Sequence, residues 1–151
     1  MKVLVSACLI GENCKYDGTN NQDLKLFGTL LGEGISPVAV CPEVEGGLPI
    51  PRCPAERQGD KVVTRDGEDV TEQFMLGAQK ALALAKQHGC KAAVLKSNSP
   101  SCGSCKIYDG TFSGTLVDGK GVTAQLLKKN GIVVYDENSY KKMIVDFLFE
   151  D

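Results

Sequence analysis

Seven cysteines punctuate a chain of 151 residues, and three of them stand where chemistry is expected. Cys8 follows the apolar run Val3-Leu4-Val5, and Cys41 follows Pro37-Val38-Ala39-Val40. Cys102 closes the loop Lys96-Ser97-Asn98-Ser99-Pro100-Ser101 beyond Ala92-Ala93-Val94-Leu95. Each run reads as a short strand. Ligands of open parallel sheets bind beyond the carboxyl ends of the strands, so these thiols, 33 and 61 residues apart, are expected to meet on one edge. Three thiolates on a concave edge favour a soft metal or an iron–sulfur cluster over Mg²⁺ or Ca²⁺. The bland alternative is three unrelated fillers, because free cysteine is commonly buried. Their polar, Gly- and Pro-rich settings argue against it.

The other cysteines carry weaker signals. Cys90 follows the helix stop at Gly89 and opens a strand, which places it on the opposite edge as core filler. Cys14 and Cys53 lie in loops able to reach the first edge, with roles left open. Cys105 completes a CxxC motif, Cys102-Gly103-Ser104-Cys105. A dithiol redox pair prefers a helix N-terminus, whereas Lys106-Ile107-Tyr108-Asp109-Gly110 reads as a loop or short strand. A zinc site would want a second CxxC, and the sequence has none.

Around Cys41, the segment Cys41-Pro42-Glu43-Val44-Glu45-Gly46-Gly47-Leu48-Pro49-Ile50-Pro51-Arg52 reads as an extended loop projecting from the strand end. Glu43, two residues past a candidate ligand, is placed for proton transfer; burial would raise its pKa and Arg52 would lower it. Glu45 fits a solvated loop residue. Arg52 reads equally as an anion clamp and as a brace for the loop. Gly114 to Gly121 has the spacing of a phosphate-binding loop but ends in Gly121 where a hydroxyl residue is required, so it reads as a Gly-rich active-site loop or turn. His88, the sole histidine, falls in a last helical turn, where it suits the negative helix end.

The positioning elements follow from periodicity. A fourth apolar run, Ile132-Val133-Val134-Tyr135, joins the three above; near-continuous apolar runs suggest strands covered on both faces. Helical spacing appears in Asp23 to Leu31, from Thr71 to Gly89, in Val122 to Lys129, and after a capping Ser139. Lys61 to Thr64 and Glu68 to Val70 flank an Asp66-Gly67 turn and read as a hairpin. The expectation is an α/β fold, a single three-layer domain over residues 1–151 with a mostly parallel sheet and a small β-hairpin insertion. The order of the strands is not legible.

Composition excludes several classes. With 42% hydrophobic and 24% charged residues the chain is that of an ordinary globular protein. A net charge of −2 removes the footprint of a duplex nucleic-acid binder, and no apolar run approaches the roughly 18 residues of a membrane span. Val5-Ser6-Ala7-Cys8 looks like a lipoprotein cleavage site but lacks the preceding apolar stretch. An odd cysteine count in a chain that needs no staples fits reduced thiols, hence a cytoplasmic protein.

Several long motifs, in order, make the chain resemble the thiouracil desulfurase family. They are Ser6-Ala7-Cys8-Leu9-Ile10-Gly11 with Tyr16-Asp17-Gly18, the loop from Cys41-Pro42-Glu43 to Pro51-Arg52, and Lys96 to Gly103 with Tyr108-Asp109-Gly110-Thr111-Phe112. The resemblance implies a 4Fe–4S cluster held by only Cys8, Cys41 and Cys102, its open iron binding the sulfur of a thiolated pyrimidine. It implies hydrolytic desulfuration of 2-thiouracil or a related base, with Glu43 activating water or shuttling protons and either Ser99 or Ser101 contacting the cluster or substrate. The extra Cys14, Cys53 and Cys105 depart from the family's usual pattern. A nearby cysteine on the open iron would leave a closed cluster. Two other readings use the same thiols: a non-catalytic metal, iron–sulfur or persulfide-binding protein, and a dithiol oxidoreductase built on Cys102 and Cys105.

Overall fold

The computed structural model describes residues 1–149. Four strands form a parallel sheet: β1 (Lys2–Ser6), β2 (Ser36–Val40), β5 (Ala92–Leu95) and β8 (Val133–Asp136), in the order β2-β1-β5-β8. Their β-branched and aliphatic residues are buried from both sides because helices cover both faces. Val3 and Val5 point to one face, where they pack with Leu26 and Leu30 of α1 (Leu24–Gly32) and Met143 and Ile144 of α5 (Tyr140–Leu148). Leu4 points to the other, against Ala81 and Ala85 of α3 (Thr71–Gln87) and Ala124 and Leu127 of α4 (Val122–Lys129). The expected three-layer α/β architecture with a parallel sheet is thus observed.

Strand order decides where a site belongs. The chain leaves β1 by α1 to β2 on one side, then returns by α3 to place β5 on the other side of β1. Loops therefore diverge at the carboxyl ends of β1 and β5, the switch point at which such sheets open a crevice. The Ser6 hydroxyl accepts the Lys96 N–H at 2.9 Å and ties these two strand ends together.

Three local readings differ from the structure. First, the segment after Cys41 is not extended: Pro42–Glu45 forms a short helix, α2. Proline at the first helical position has its φ preset for the helix and lacks only an N–H that would be unpaired anyway. Second, the expected hairpin is present, with the Val70 N–H bonded to the Val62 carbonyl across the Asp66-Gly67 turn, but it gains a strand that was not expected. Lys61–Thr64 (β4) pairs along its length with Ala55–Gln58 (β3), while the Asp66-Gly67 return contributes one bridge, Val63 to Asp69. Ala-Glu-Arg-Gln has none of the β-branched or aromatic residues that mark strands, so sequence pattern missed β3. Third, Ser139 precedes α5 but does not cap it; its hydroxyl instead binds the Asp136 backbone N–H and side chain. The Gly114 to Gly121 segment carries a strand, Leu116–Asp118 (β7), paired with Lys106–Tyr108 (β6).

Candidate active site

One cavity of about 530 Å³ opens at the switch point. Cys8, Cys14, Cys41 and Cys102 all line it, with Glu43, Arg52, Ser99 and the rings of Tyr16, Tyr108 and Phe112. The convergence expected of Cys8, Cys41 and Cys102 is what the topology delivers. Cys8 sits in the 3-10 turn directly after β1, Cys41 is the residue that caps α2 after β2, and Cys102 lies in the loop after β5. Cys14 joins them from the loop beyond that turn. Cys53 and Cys105 do not line the cavity, and buried Cys90 packs in the apolar layer under α3, as expected of filler.

The thiols are not equivalent. Cys14 neighbours both Cys8 and Cys41 and can offer its single S–H to one or the other, and chiefly for that reason both are lowered to about 7; Asn21 and Lys96 also favour the Cys8 thiolate. Cys14 itself is raised by keeping the shared proton. Burial pushes Cys102 up to about 12. A redox-active CxxC needs one cysteine with a depressed pKa. With Cys102 held protonated by burial and Cys105 exposed away from the cavity, the pair is ill suited to dithiol exchange.

Glu43 is fixed by its neighbour rather than by the loop. The Arg52 Nε donates to Glu43 Oε1 at 3.1 Å, Nη1 to the Pro49 carbonyl at 3.2 Å, and Nη2 to the Cys14 carbonyl at 2.8 Å. Arg52 is therefore a brace first, with each of its three nitrogens bonded to the protein. Burial raises the Glu43 pKa and outweighs the opposing pull of Arg52. The carboxyl is thereby brought toward the range where it takes and gives a proton easily.

The two candidate serines separate cleanly. Ser99 lines the cavity; its Oγ accepts the N–H groups of Ser101 and Cys102 at 3.1 and 3.0 Å, bonds that do not use its own O–H. Ser101 is 1% exposed, does not line the cavity, and shares a 2.8 Å hydrogen bond with the Thr123 hydroxyl of α4.

Two lining residues, Glu56 and Arg65, carried no sequence signal. Glu56 of β3 is buried, and one carboxylate oxygen accepts both the Gly110 N–H at 3.0 Å and the Phe112 N–H at 3.1 Å. This clamp holds Phe112 at φ 57°, a left-handed conformation that costs a bulky residue energy and persists only when the surroundings impose it. The Arg65 guanidinium lies 5.8 Å from the Phe112 ring centre. Lys15, Arg52, Arg65 and Lys96 line the crevice with Glu43 and Glu56; Arg52 is paired with Glu43, and Lys96 with Glu137 just outside the lining.

A family model described as 2-thiouracil desulfurase matches residues 3–139. The chain belongs to the 2-thiouracil desulfurase family. It is 45% identical over 152 residues to the uncharacterized protein YbbK of Bacillus subtilis (strain 168), covering 94% of this chain and 99% of that one. A solved structure named the 4Fe–4S-dependent thiouracil desulfidase TudS (DUF523Vcz) is 45% identical, superposes with a TM-score of 0.93, and covers 99% of both chains. Family membership makes the chain an enzyme and accounts for the shared α/β fold.

The donor set can be tested against an iron–sulfur cluster. Among the described residues no group of His, Cys, Asp or Glu is spaced to hold a single metal ion. Thiolates around a 4Fe–4S cube stand at separate corners, farther apart than the donors of one ion, and thiolate is the ligand such clusters take. Four cysteines on one cavity, with no carboxylate-rich cradle among the described residues, fit that group. Among the described residues no helix is long and apolar enough to cross a membrane.

Proposed function

We propose that this enzyme removes the sulfur of a thiolated pyrimidine by hydrolysis, using a 4Fe–4S cluster held by Cys8, Cys41 and Cys102. The observation that carries this reading is the placement of those three thiols, the braced Glu43 and Ser99 on one cavity. When bound, the cluster supplies a Lewis-acidic iron and an acceptor for sulfur. The rest is work for the protein's own groups. Tyr16, Tyr108 and Phe112 offer aromatic surface for a flat base, and about 530 Å³ is within the range of small-ligand sites.

The proton traffic belongs to Glu43 and Ser99. Exchange of C=S for C=O consumes one water and releases sulfide with no net transfer of electrons. Water must lose its protons as its oxygen bonds the ring carbon, and Glu43, lifted by burial, is the base within the cavity. Arg52 fixes the direction of the carboxylate through Nε, leaving Oε2 free of that bond. Ser99 donates its O–H toward the reacting atoms while its lone pairs are held by two backbone amides.

The physiological partner is then a small thiolated base such as 2-thiouracil, with no part for duplex nucleic acid or a membrane. Anaerobic reconstitution with iron and sulfide, followed by incubation with 2-thiouracil, tests the reading. Brown protein that yields uracil and sulfide in equal amounts supports it; colourless protein, or a brown protein that releases no sulfide from any thiopyrimidine, rejects it.

A further inference from the structure

Cys14 is a fourth thiol on the cavity, and it is held there deliberately. Its carbonyl accepts a hydrogen bond from Arg52 Nη2 at 2.8 Å and another from the Cys41 thiol at 3.6 Å. The residue is 6% exposed and lines the same cavity as Cys8, Cys41 and Cys102. A filler cysteine sits among apolar side chains, as Cys90 does. Cys14 belongs to none of the three apolar clusters formed by the described residues, and its neighbours are thiols and an arginine.

A cluster held by three cysteines has one iron without a protein ligand. Resting on that reading of Cys8, Cys41 and Cys102, we propose that Cys14 is the protein ligand of the fourth iron while no substrate is present. Thiolate is the ligand that iron prefers, and among the described residues Cys14 is the remaining thiol on the cavity. A thiolated base and Cys14 then compete for the same position. On exchange the bond from iron to Cys14 breaks, the bond from iron to the sulfur of the base forms, and Cys14 leaves as a thiolate that takes a proton from solvent. No electrons move. Arg52 contacts both Glu43 and the Cys14 backbone, so the capping residue and the proton-transfer residue share one anchor. Capping of this kind would shield an otherwise labile iron between turnovers.

The test uses the anaerobically reconstituted full chain as wild type, Cys14→Ala, Cys14→Ser and Cys105→Ala, each treated with one equivalent of ferricyanide without substrate. A 4Fe–4S cluster with an uncapped iron loses it and gives the electron-paramagnetic signal of a 3Fe–4S cluster, whereas four thiolates resist this. Wild type and Cys105→Ala are expected to keep their iron, and Cys14→Ala and the size-conserving Cys14→Ser to lose about one iron per chain with the three-iron signal. Wild type that converts as readily as the Cys14 variants overturns the cap and leaves the three-thiolate cluster standing. A chain in which Cys14→Ala assembles no cluster but Cys102→Ala does would overturn both, as would wild type that takes up no iron. Because the wild-type measurement alone can refute the proposal, failure of a variant to fold does not protect it.

Discussion

Glu43 and Cys102 show how burial in one cavity acts on two acids with different neighbours. Both are raised by burial, yet Glu43 keeps a cationic partner and Cys102 has only the Ser6 hydrogen bond against it. Glu43→Gln preserves shape and the Arg52 contact but removes the base. It is expected to retain the brown colour and lose about 10²–10⁴ in the rate of sulfide release, measured on reconstituted protein. A variant with unchanged turnover would take Glu43 out of the reaction. The thiols can be read in the apoprotein by alkylation. Thiolate is the reactive form, so modification of Cys8 and Cys41 should rise steeply as pH climbs through about 7, while Cys102, pushed up to about 12, stays unmodified across the same range. Peptide mass spectrometry after iodoacetamide treatment checks the order; early labelling of Cys102 would contradict it. At Phe112, loss of the ring should weaken binding of the product uracil to the apoprotein by about 1–3 kcal/mol, the worth of one base–aromatic stack. Calorimetry that finds Phe112→Ala equal to wild type would place the base elsewhere.

Elements act by bringing these residues into register. Helix α2 is only four residues long and carries Glu43, so its position depends on what it rests upon. It crosses α3 at two glycines: a Cβ on Gly77 would stand 1.8 Å from the Pro42 carbonyl oxygen, and one on Gly46 would stand 1.9 Å from that of Gln73. Backbone meets backbone there and nothing flexible can yield. Gly77→Ala must therefore part the helices, at a cost of about 1–3 kcal/mol or more. A fall of several degrees in the melting temperature of the apoprotein and impaired turnover are expected together; a normal melting curve would show that the crossing is looser than this packing. The strand ends are tied in a similar way. Lys96 and Glu137 pair at 2.7 Å, and Glu137 also accepts the Ser97 N–H and hydroxyl, joining the loop after β5 to the end of β8. Burial pushes Glu137 up, but Lys96 and Ser97 outweigh it and the net shift is downward. A carboxylate lowered in the fold adds stability above its unfolded pKa, and that contribution is lost as pH falls through the folded one. Glu137→Gln should thus destabilise the apoprotein by about 1–3 kcal/mol at neutral pH and by much less in acid below the ordinary carboxylate range. An equal deficit at both pH values would deny the ion pair its role.

At the scale of the whole molecule, the order β2-β1-β5-β8 is what turns separate loops into one crevice. Runs such as Ala92–Leu95, buried on both sides, and helices with evident apolar faces made the parallel α/β class legible from periodicity. Because ligand crevices of such sheets lie beyond strand carboxyl ends, Cys8, Cys41 and Cys102 could be placed together before any coordinates. For Cys8 and Cys41 the position follows from where β1 and β2 end, whereas Cys102 lies farther along the loop after β5 and is held there by its N–H bond to Ser99. Cys14, Phe112 and Glu56 have no such rule. They sit on irregular segments whose path is set by long-range bonds, from Arg52 to the Cys14 carbonyl and from Glu56 to Gly110 and Phe112, across 38, 54 and 56 residues. The same holds for the choice between Ser99 and Ser101, two residues apart in sequence and turned to opposite sides by the bend after Pro100. The sequence by itself determined the layers, the strand-end thiols and the kind of metal they suit, since local periodicity and side-chain chemistry carry that information. Only the tertiary structure decided which loop residues face the crevice, because contacts distant in sequence, with no period to announce them, fix where an irregular backbone goes.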